Sequence, residues 1–489
     1  GDDILKAGGG NDIIYGRNGS SGKGDDGSID TAVFSGTSTD YKLSRATDTN
    51  FEYVYYIQDK REGSPDGLDT LYDIDLLRFD DEDININSFY ELNAGDGSES
   101  ETITGTEGDD LIDGYGGDDT ITGFGGDDIL IGGDGNDVID GGSGTNRLYA
   151  DAGDDTITSS GTNDVVDAGE GDNTIYISGN SGTYTSGSGD DSYTLQDASG
   201  DIEISAGEGV NSFTTEDDFG GRLRIDAYTA SDDIQTLNLN GGTLRGSYNW
   251  SSETKNDGDH TQSVYNESFV SGQGNDVINI KEGGFIGYGR LYTLGGDDTI
   301  TIDGGLGERW DSGTVYAGSG NDTVSINGDI GNYGSHGYVY AGRDDDTITI
   351  TGESEYNRGS IYGGEGNDSI DLTGRTINSK GDPSDGRYQI HVYGESGNDN
   401  LIGSDEDDQL HGGDGDDTID AGNGDNDIRG DQGNDYLESG TGVDQLEGGD
   451  GDDILKAGGG NDIIYGRNGS SGKGDDGSID TAVFSGTST

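Results

Sequence analysis

The sequence predicts an all-β chain, wound as a right-handed parallel β-roll that widens into a β-helix solenoid and carries a small antiparallel β module. Three observations predict it. Two blocks keep a nine-residue period in which one position is always aliphatic and another always Asp or Asn. Between the blocks the same acidic turn returns at wider intervals. Ahead of the first block lies a stretch with fewer Gly, more aromatics and strand-like alternation.

The first block, 105–176, divides into eight units that begin GTEGDDLID, GYGGDDTIT, GFGGDDILI and GGDGNDVID; the second, 394–465, gives eight more, including GGDGDDTID and GGDGDDILK. The eighth positions are Ile112, Ile121, Leu130, Ile139, Leu148, Ile157, Val166 and Ile175, then Leu401, Leu410, Ile419, Ile428, Leu437, Leu446, Leu455 and Ile464. The sixth positions are Asp110, Asp119, Asp128, Asp137, Asn146, Asp155, Asp164 and Asn173, then Asp399, Asp408, Asp417, Asn426, Asp435, Asp444, Asp453 and Asp462.

Those two columns fix the local structure. Six residues rich in Gly and Asp/Asn form a turn, because Gly permits positive φ and Asn/Asp tolerate it. Three residues then form a short strand whose middle side chain points inward, and successive aliphatics stack into a narrow core. Two units make one circuit, so Asp110 lies over Asp128, and Asp119 over Asp137, at one strand spacing of roughly 4.8 Å. Carboxylates stacked at that distance repel unless a cation divides them. An all-oxygen site of carboxylates and turn carbonyls suits a hard ion, Ca²⁺ ahead of Mg²⁺ and far ahead of Zn²⁺.

These units resemble the RTX nonapeptide G-G-x-G-x-D-x-U-x, which recurs in register through both blocks. The resemblance implies a parallel β-roll that binds several Ca²⁺ ions, with the sixth-position Asp residues above as side-chain ligands and turn carbonyls as the rest. Asn146, Asn173 and Asn426 depart from the pattern, and sites using them are expected to carry less charge.

From 177 to 393 the nine-residue rhythm stops, yet the turn signature returns at Asp191, Asn211, Asp233, Asp276, Asp298, Asp322, Asp346 and Asp368, mostly 20 to 24 residues apart. Each interval reads as one wide circuit that keeps one acidic turn and replaces the other by a longer loop. The gap from Asp233 to Asp276 reads as close to two intervals. Asp276, Asp298, Asp322, Asp346 and Asp368 are therefore added to the predicted metal ligands. GSGNDTVSINGDIGNYGSHGYVYA, 318–341, displays the plan of acidic turn, strand, uncharged loop and returning strand. The returning strands carry Tyr292, Tyr316, Tyr340, Tyr362 and Tyr393, each preceded by Leu291, Val315, Val339, Ile361 or Val392. Alternation places aliphatic and Tyr on opposite faces, so the tyrosines are expected to form an external ladder that packs along the helix or meets a partner subunit or a glycan. Trp250 and Trp310 invite the same contact.

The stretch from 24 to about 100 shows alternation in DTAVFSG, FEYVYYIQD and LDTLYDIDLLRFDD, with a hairpin expected at 63–67. It resembles the cassette that often follows RTX blocks in large secreted bacterial proteins, through Asp30 to Gly36, Tyr41 to Leu43 and Gly67 to Phe79. Its expected role is to close one solenoid end and join it to the next, because open ends expose unpaired backbone.

Residues 1 to 39 are identical to 451 to 489, an offset of 450 residues. The organisation expected is the end of one β-roll block (1–15), the cassette (16–104), block one (105–176), the wide helix (177–393), block two (394–465) and the start of the next cassette (466–489). The chain has no Met and no signal-like opening, and is read as one period and a fraction of a longer tandem array.

Charge and composition narrow the function. With 100 Asp and Glu against 25 Lys and Arg, the formal charge is −75, which repels nucleic acid and anionic lipid. Hydrophobic residues are only 28 % and no apolar run is long enough to span a membrane. Cys is absent, so neither disulfides nor thiolate chemistry is available. His260, His336, His391 and His411 share no spacing, and the ubiquitous carboxylate pairs carry no catalytic signal. No dinucleotide site or EF-hand is present, since no helix flanks the Gly-rich strings. The expectation is a non-enzymatic structural repeat of an extracellular filament or surface layer, assembling with copies of itself. A giant adhesin stalk or the carrier region of a type I-secreted enzyme are the alternatives. Secretion unfolded, followed by folding in external Ca²⁺, fits the repelling columns.

Overall fold

The protein was analysed as a computed structural model. It describes residues 99–215, 222–227, 235–239, 243–245, 252–256, 261–265, 267–287, 290–307, 312–331, 336–354, 359–377, 390–466 and 479–484, together with 4–6, 9–15, 30–36, 41–47, 53–59, 61, 68–72, 74, 76–80, 83–85 and 90–93. All regular structure among them is β. Trp250, Trp310, His260, Asp233 and the expected hairpin at 63–67 lie outside the described residues. The chain divides into two compact units, Gly1–Asn173 and Thr174–Thr489.

In the first unit, block one is a two-sided parallel solenoid. Thr102–Thr104 pairs with Thr120–Thr122, that strand with Val138–Asp140, and that with Thr156–Ser159. On the other side Asp110–Asp113 pairs with Ile129–Asp134, then Arg147–Ala152, then Thr162–Asp167. Partners align residue for residue, Ile121 with Ile139 and Ile112 with Leu130, which is what one inward aliphatic per unit requires.

The cassette forms two four-stranded sheets. Both mix parallel and antiparallel pairing: in one, Tyr41–Thr47, Tyr53–Asp59 and Leu68–Tyr72 run antiparallel, while Ile13–Tyr15 joins Leu68–Tyr72 in parallel. In the other sheet Ile4–Lys6 and Leu76–Arg78 flank Thr31–Val33 in parallel. The core of Ala32, Phe34, Tyr41, Leu43, Ile57, Leu71 and Leu77 is continuous with Leu111, Ile129, Ile131 and Tyr149 of block one, and Tyr149 Oη donates to the carbonyl of Tyr41 at 3.3 Å. These block-one residues occupy outward positions of their strands, so the cassette covers one side of the solenoid. Its last strand, Tyr90–Asn93, pairs in parallel with Asp110–Asp113 and forms the first rung.

The second unit continues the same plan with unequal circuits. One sheet stacks Thr299–Leu306, Thr323–Asn327, Thr347–Ser354, Ser369–Ile377 and Asn400–Ile402; the other stacks Arg290–Tyr292, Gly313–Ser319, Gly337–Arg343, Gly359–Glu365 and Ile390–Ser396. The interval before Asp276 is one circuit instead of two. Thr236–Leu239 pairs directly with Val277–Gly287, and the excess length is an insertion that includes an antiparallel hairpin, Ser252–Asn256 with Thr261–Tyr265. Consequently Gln235, and not Asp233, holds the turn position: its N–H donates to Asp276 Oδ1 at 2.6 Å across 41 residues.

The aliphatic columns form the core. Ile112, Ile121, Leu130, Ile139, Leu148, Ile157, Val166 and Ile175 are buried, as are Leu401, Leu410, Ile419, Ile428, Leu437, Leu446 and Leu455. Ile464 is half-exposed, whereas its copy Ile14 is buried against the cassette opposite Leu71. Leu291, Val315, Val339, Ile361 and Val392 also point inward; Tyr316, Tyr340, Tyr362 and Tyr393 are half-buried on the opposite face, whereas Tyr292, expected in an external ladder, is buried with Val270 and Leu294.

Candidate metal centre

Many of the acidic turns are closed by a Gly at positive φ. Gly135 sits at φ +138°, where a side chain would strike the carbonyl of Gly117 one circuit earlier. The turns therefore stack in near-contact, and the sixth-position side chain bends into the space between them. Asp110, Asp119, Asp128, Asp137, Asn146, Asp155, Asp164, Asn173, Asp276, Asp298, Asp322, Asp346, Asp368, Asp399, Asp408, Asp417, Asn426, Asp435, Asp444 and Asp453 are all buried; Asp462 is half-exposed.

The carboxylates are not divided from one another by cations alone. Along most of each column, Oδ1 accepts the peptide N–H of the sixth residue one circuit earlier. In block one the N–H of Asp110 donates to Asp128 at 2.9 Å, Asp119 to Asp137 at 2.7 Å and Asp137 to Asp155 at 2.7 Å. In the second unit an unbroken column runs from Asp276 through Asp298, Asp322, Asp346, Asp368, Asp399 and Asp417 to Asp435, with bonds of 2.7–2.9 Å. It then passes through Asp453 to Asp480 at 3.3 Å. Asp480 belongs to the DTAVF string and serves as one more sixth residue. The sequence signal was D-x-U-x with Ala482 in the aliphatic place.

The second oxygen carries the chemistry. Oδ2 of Asp119, Asp128, Asp137, Asp155, Asp276, Asp298, Asp322, Asp346, Asp368, Asp399, Asp417, Asp435 and Asp444 is buried with no hydrogen-bond partner. A buried, unanswered carboxylate oxygen is costly. Where the unit opens with Gly, that oxygen and a carbonyl of the next turn converge on the space a Cβ would fill: at Gly123, Asp128 Oδ2 and the Gly141 carbonyl both lie within 2.8 Å of that point. Gly114, with Asp119 Oδ2 and the Gly132 carbonyl, and Gly430, with Asp435 Oδ2 and the Gly448 carbonyl, repeat the arrangement. This donor set, one carboxylate oxygen and carbonyls from adjacent turns, fits a hard oxygen-seeking divalent ion. Among the described residues no three acidic or His side chains cluster around one point, so backbone carbonyls would complete each coordination shell.

Burial drives the electrostatics. Desolvation pushes Asp298 up to about 10, with Asp322 and Asp276 adding repulsion, and Asp346 up to about 9. Asp322 and Asp417 reach about 8, Asp128, Asp155, Asp276, Asp368 and Asp435 about 7, and Asp137 and Asp399 about 6, each by desolvation first, with the N–H bond to Oδ1 opposing it. A divalent cation held there by Oδ2 and the turn carbonyls would supply the positive charge that lets these groups ionise in place.

Some predicted ligands sit differently. Asn146 donates from Nδ2 to the Gly142 carbonyl at 3.5 Å, Asn173 to Gly171 at 3.0 Å, and Asn426 to Asn423 and Gly424 at 3.3 Å. Asp164 accepts from Ser159 Oγ at 2.6 Å and the N–H of Gly161 at 3.1 Å, and Asp110 from the N–H of Thr106 at 2.5 Å. Asp408 is bonded by Arg375 and Ser404. Sequence reading also missed a second ladder, at the fifth position. Asn275, Asp297, Asn321, Asp345, Asn367, Asn398, Asp416, Asn434 and Asp452 each accept, through Oδ1, the N–H of the fifth residue one circuit later, with Ile479 last to donate. These bonds point opposite to those of the sixth position.

Fold and turns together define a parallel β-solenoid of calcium-binding structural repeats. The model of the RTX calcium-binding nonapeptide repeat matches 1–21, 96–123, 122–157, 140–175, 360–374, 393–428, 402–437 and 438–471, so the chain carries RTX repeats over those residues. No curated protein matches it. Among solved structures, the X-ray crystal structure of a hyperactive, Ca²⁺-dependent, beta-helical antifreeze protein from an Antarctic bacterium is similar at 17 % identity and a TM-score of 0.32, over 75 % of this chain and 86 % of that one. RTX-repeat proteins are typically secreted, and among the described residues no helix is long and apolar enough to cross a membrane.

Proposed function

We propose that this chain is the repeating body of an extracellular bacterial filament or surface-layer-like fibre, made rigid by several Ca²⁺ ions held between its stacked turns. The observation that carries this reading is the column from Asp276 to Asp435, in which eight successive circuits each bury a carboxylate oxygen that no protein donor answers. Filling such a column couples neighbouring circuits, because ions that bind only the folded array stabilise it. The 450-residue identity supports the tandem part of the proposal. So does the cassette, whose strands pair with the repeat strand that precedes it and with the rung that follows.

Export by a type I route follows from the same physics. In a cytosol poor in free Ca²⁺ the unanswered carboxylates oppose folding, and external Ca²⁺ reverses the balance. Catalysis has no part in this reading. The half-buried tyrosine face favours a second reading, the stalk of a giant adhesin that contacts a glycan or cell surface. Electron microscopy of a two-period protein with Ca²⁺ tests the first: a regular fibre is expected, and flexible beads would overturn it.

A further inference from the structure

Asp408 heads the second column of the 394–465 block and was predicted as a calcium ligand. Its side chain is 0 % exposed, and neither oxygen is left over. Oδ2 accepts from the N–H of Ser404 at 2.8 Å and from the Ser404 hydroxyl at 2.9 Å. Oδ1 accepts from Nη1 of Arg375 at 2.9 Å. Arg375 comes from the strand Ser369–Ile377 of the preceding circuit, and its side chain is only 1 % exposed.

Further along this column Oδ1 is reached by a peptide N–H: Asp408 donates to Asn426 at 2.9 Å, Asn426 to Asp444 at 2.9 Å and Asp444 to Asp462 at 3.1 Å. At the head, the guanidinium replaces that N–H and brings a full positive charge with it. Nε and Nη2 of Arg375 are buried without partners, so the guanidinium is held by its charge and one hydrogen bond, not by saturated bonding. A buried Arg is retained at such a point only where an opposite charge faces it.

We propose that Arg375 is a built-in cation that takes calcium's place at Asp408, so that the head of this column is closed by the protein itself and ion binding is excluded there. Asn426, next in the column, is closed in the same manner by a neutral donor, its amide reaching the turn carbonyls that an ion would need. The first column, beside it, has no such donors at Asp399, Asp417 or Asp435. The two edges of one solenoid thus differ: one is a calcium seam, and the other opens with two turns that fold without metal. This inference rests on the calcium reading of the neighbouring turns.

The test is the number of Ca²⁺ ions bound per folded chain, measured by native mass spectrometry on the full chain. Asp417→Asn and Asp408→Asn are isosteric and sit in adjacent turns of the two columns. Asp417→Asn is expected to lower the count by one, Asp408→Asn to leave it unchanged, and Arg375→Gln to raise it by one as Asp408 becomes available. Loss of an ion in Asp408→Asn, or an unchanged count in folded Arg375→Gln, overturns the inference. Should Arg375→Gln fail to fold, the comparison between the two Asp→Asn variants still decides. A wild-type chain that binds no Ca²⁺ would instead overturn the calcium reading itself, so the two failures are distinct.

Discussion

The N–H of Asp322 donates to Oδ1 of Asp346 at 2.7 Å, while Oδ2 of Asp346 is buried with no hydrogen-bond partner. Along the column from Asp276 to Asp435, one oxygen of each sixth residue is thus committed to holding circuits together, and the other is committed to nothing in the protein. This division of labour separates folding geometry from ion binding within a single side chain, and it makes the consequences of removing calcium specific.

In EDTA the raised carboxyls link stability to acidity. Their folded-state values, from about 6 at Asp137 and Asp399 to about 10 at Asp298, lie above the ordinary carboxylate value near 4. The metal-free fold therefore holds protons that the unfolded chain has released. Its stability is full below about pH 4 and is lost as pH rises through about 6 to 10. Circular dichroism in EDTA is expected to show more β-structure at pH 4.5 than at pH 8. With Ca²⁺ the trend reverses, since ion and proton compete, and half-saturation is expected at higher Ca²⁺ as pH falls. A full β signal in EDTA at pH 8 would contradict this.

Gly430→Ala probes the cradle without touching a ligand. The new methyl would lie 2.5 Å from the Gly448 carbonyl and closer still to Asp435 Oδ2. A cost of about 1–3 kcal/mol is expected from overpacking, together with a weaker ion at Asp435. Thermal melts with and without Ca²⁺ separate the two, because a purely steric effect lowers both melting temperatures equally.

The tyrosines form a continuous stack that is buried at Tyr292 and half-buried from Tyr316 to Tyr393. Ring centroids from Tyr292 through Tyr316, Tyr340 and Tyr362 to Tyr393 are 4.6, 4.9, 4.7 and 5.0 Å apart, with planes within 9° of parallel, and His411 follows at 5.1 Å. Replacing Tyr316 and Tyr340 by Ser should cost about 0.5–1.5 kcal/mol for each pair of stacked rings that is broken. If the stack also mediates lateral association, bundling seen by electron microscopy should fall in step. An unchanged bundle would assign the tyrosines to packing within one chain.

Local period made much of this structure readable. The aliphatic and acidic columns follow from nine-residue spacing, and Leu130 over Leu148 or Asp128 beneath Asp110 is dictated by two units per circuit. What the sequence hid depends on distance along the chain. Arg375 meets Asp408 across 33 residues, with no pattern linking them. Gln235 takes the turn position without the acidic signature, which the nearby Asp232-Asp233 pair carries in the sequence instead. Leu111, Ile129 and Tyr149 are apolar at outward positions of the repeat, and only the cassette lying over them gives the reason.

Ile4 pairs with Thr31, and Ile454 pairs with Thr481. The strand that ends one run of repeats meets the cassette in the same register at both copies, 450 residues apart. The boundary between periods is consequently not a special joint that must be rebuilt for each addition. Under the tandem reading proposed above, gain or loss of one whole period would leave every such seam chemically identical and would call for no compensating substitution.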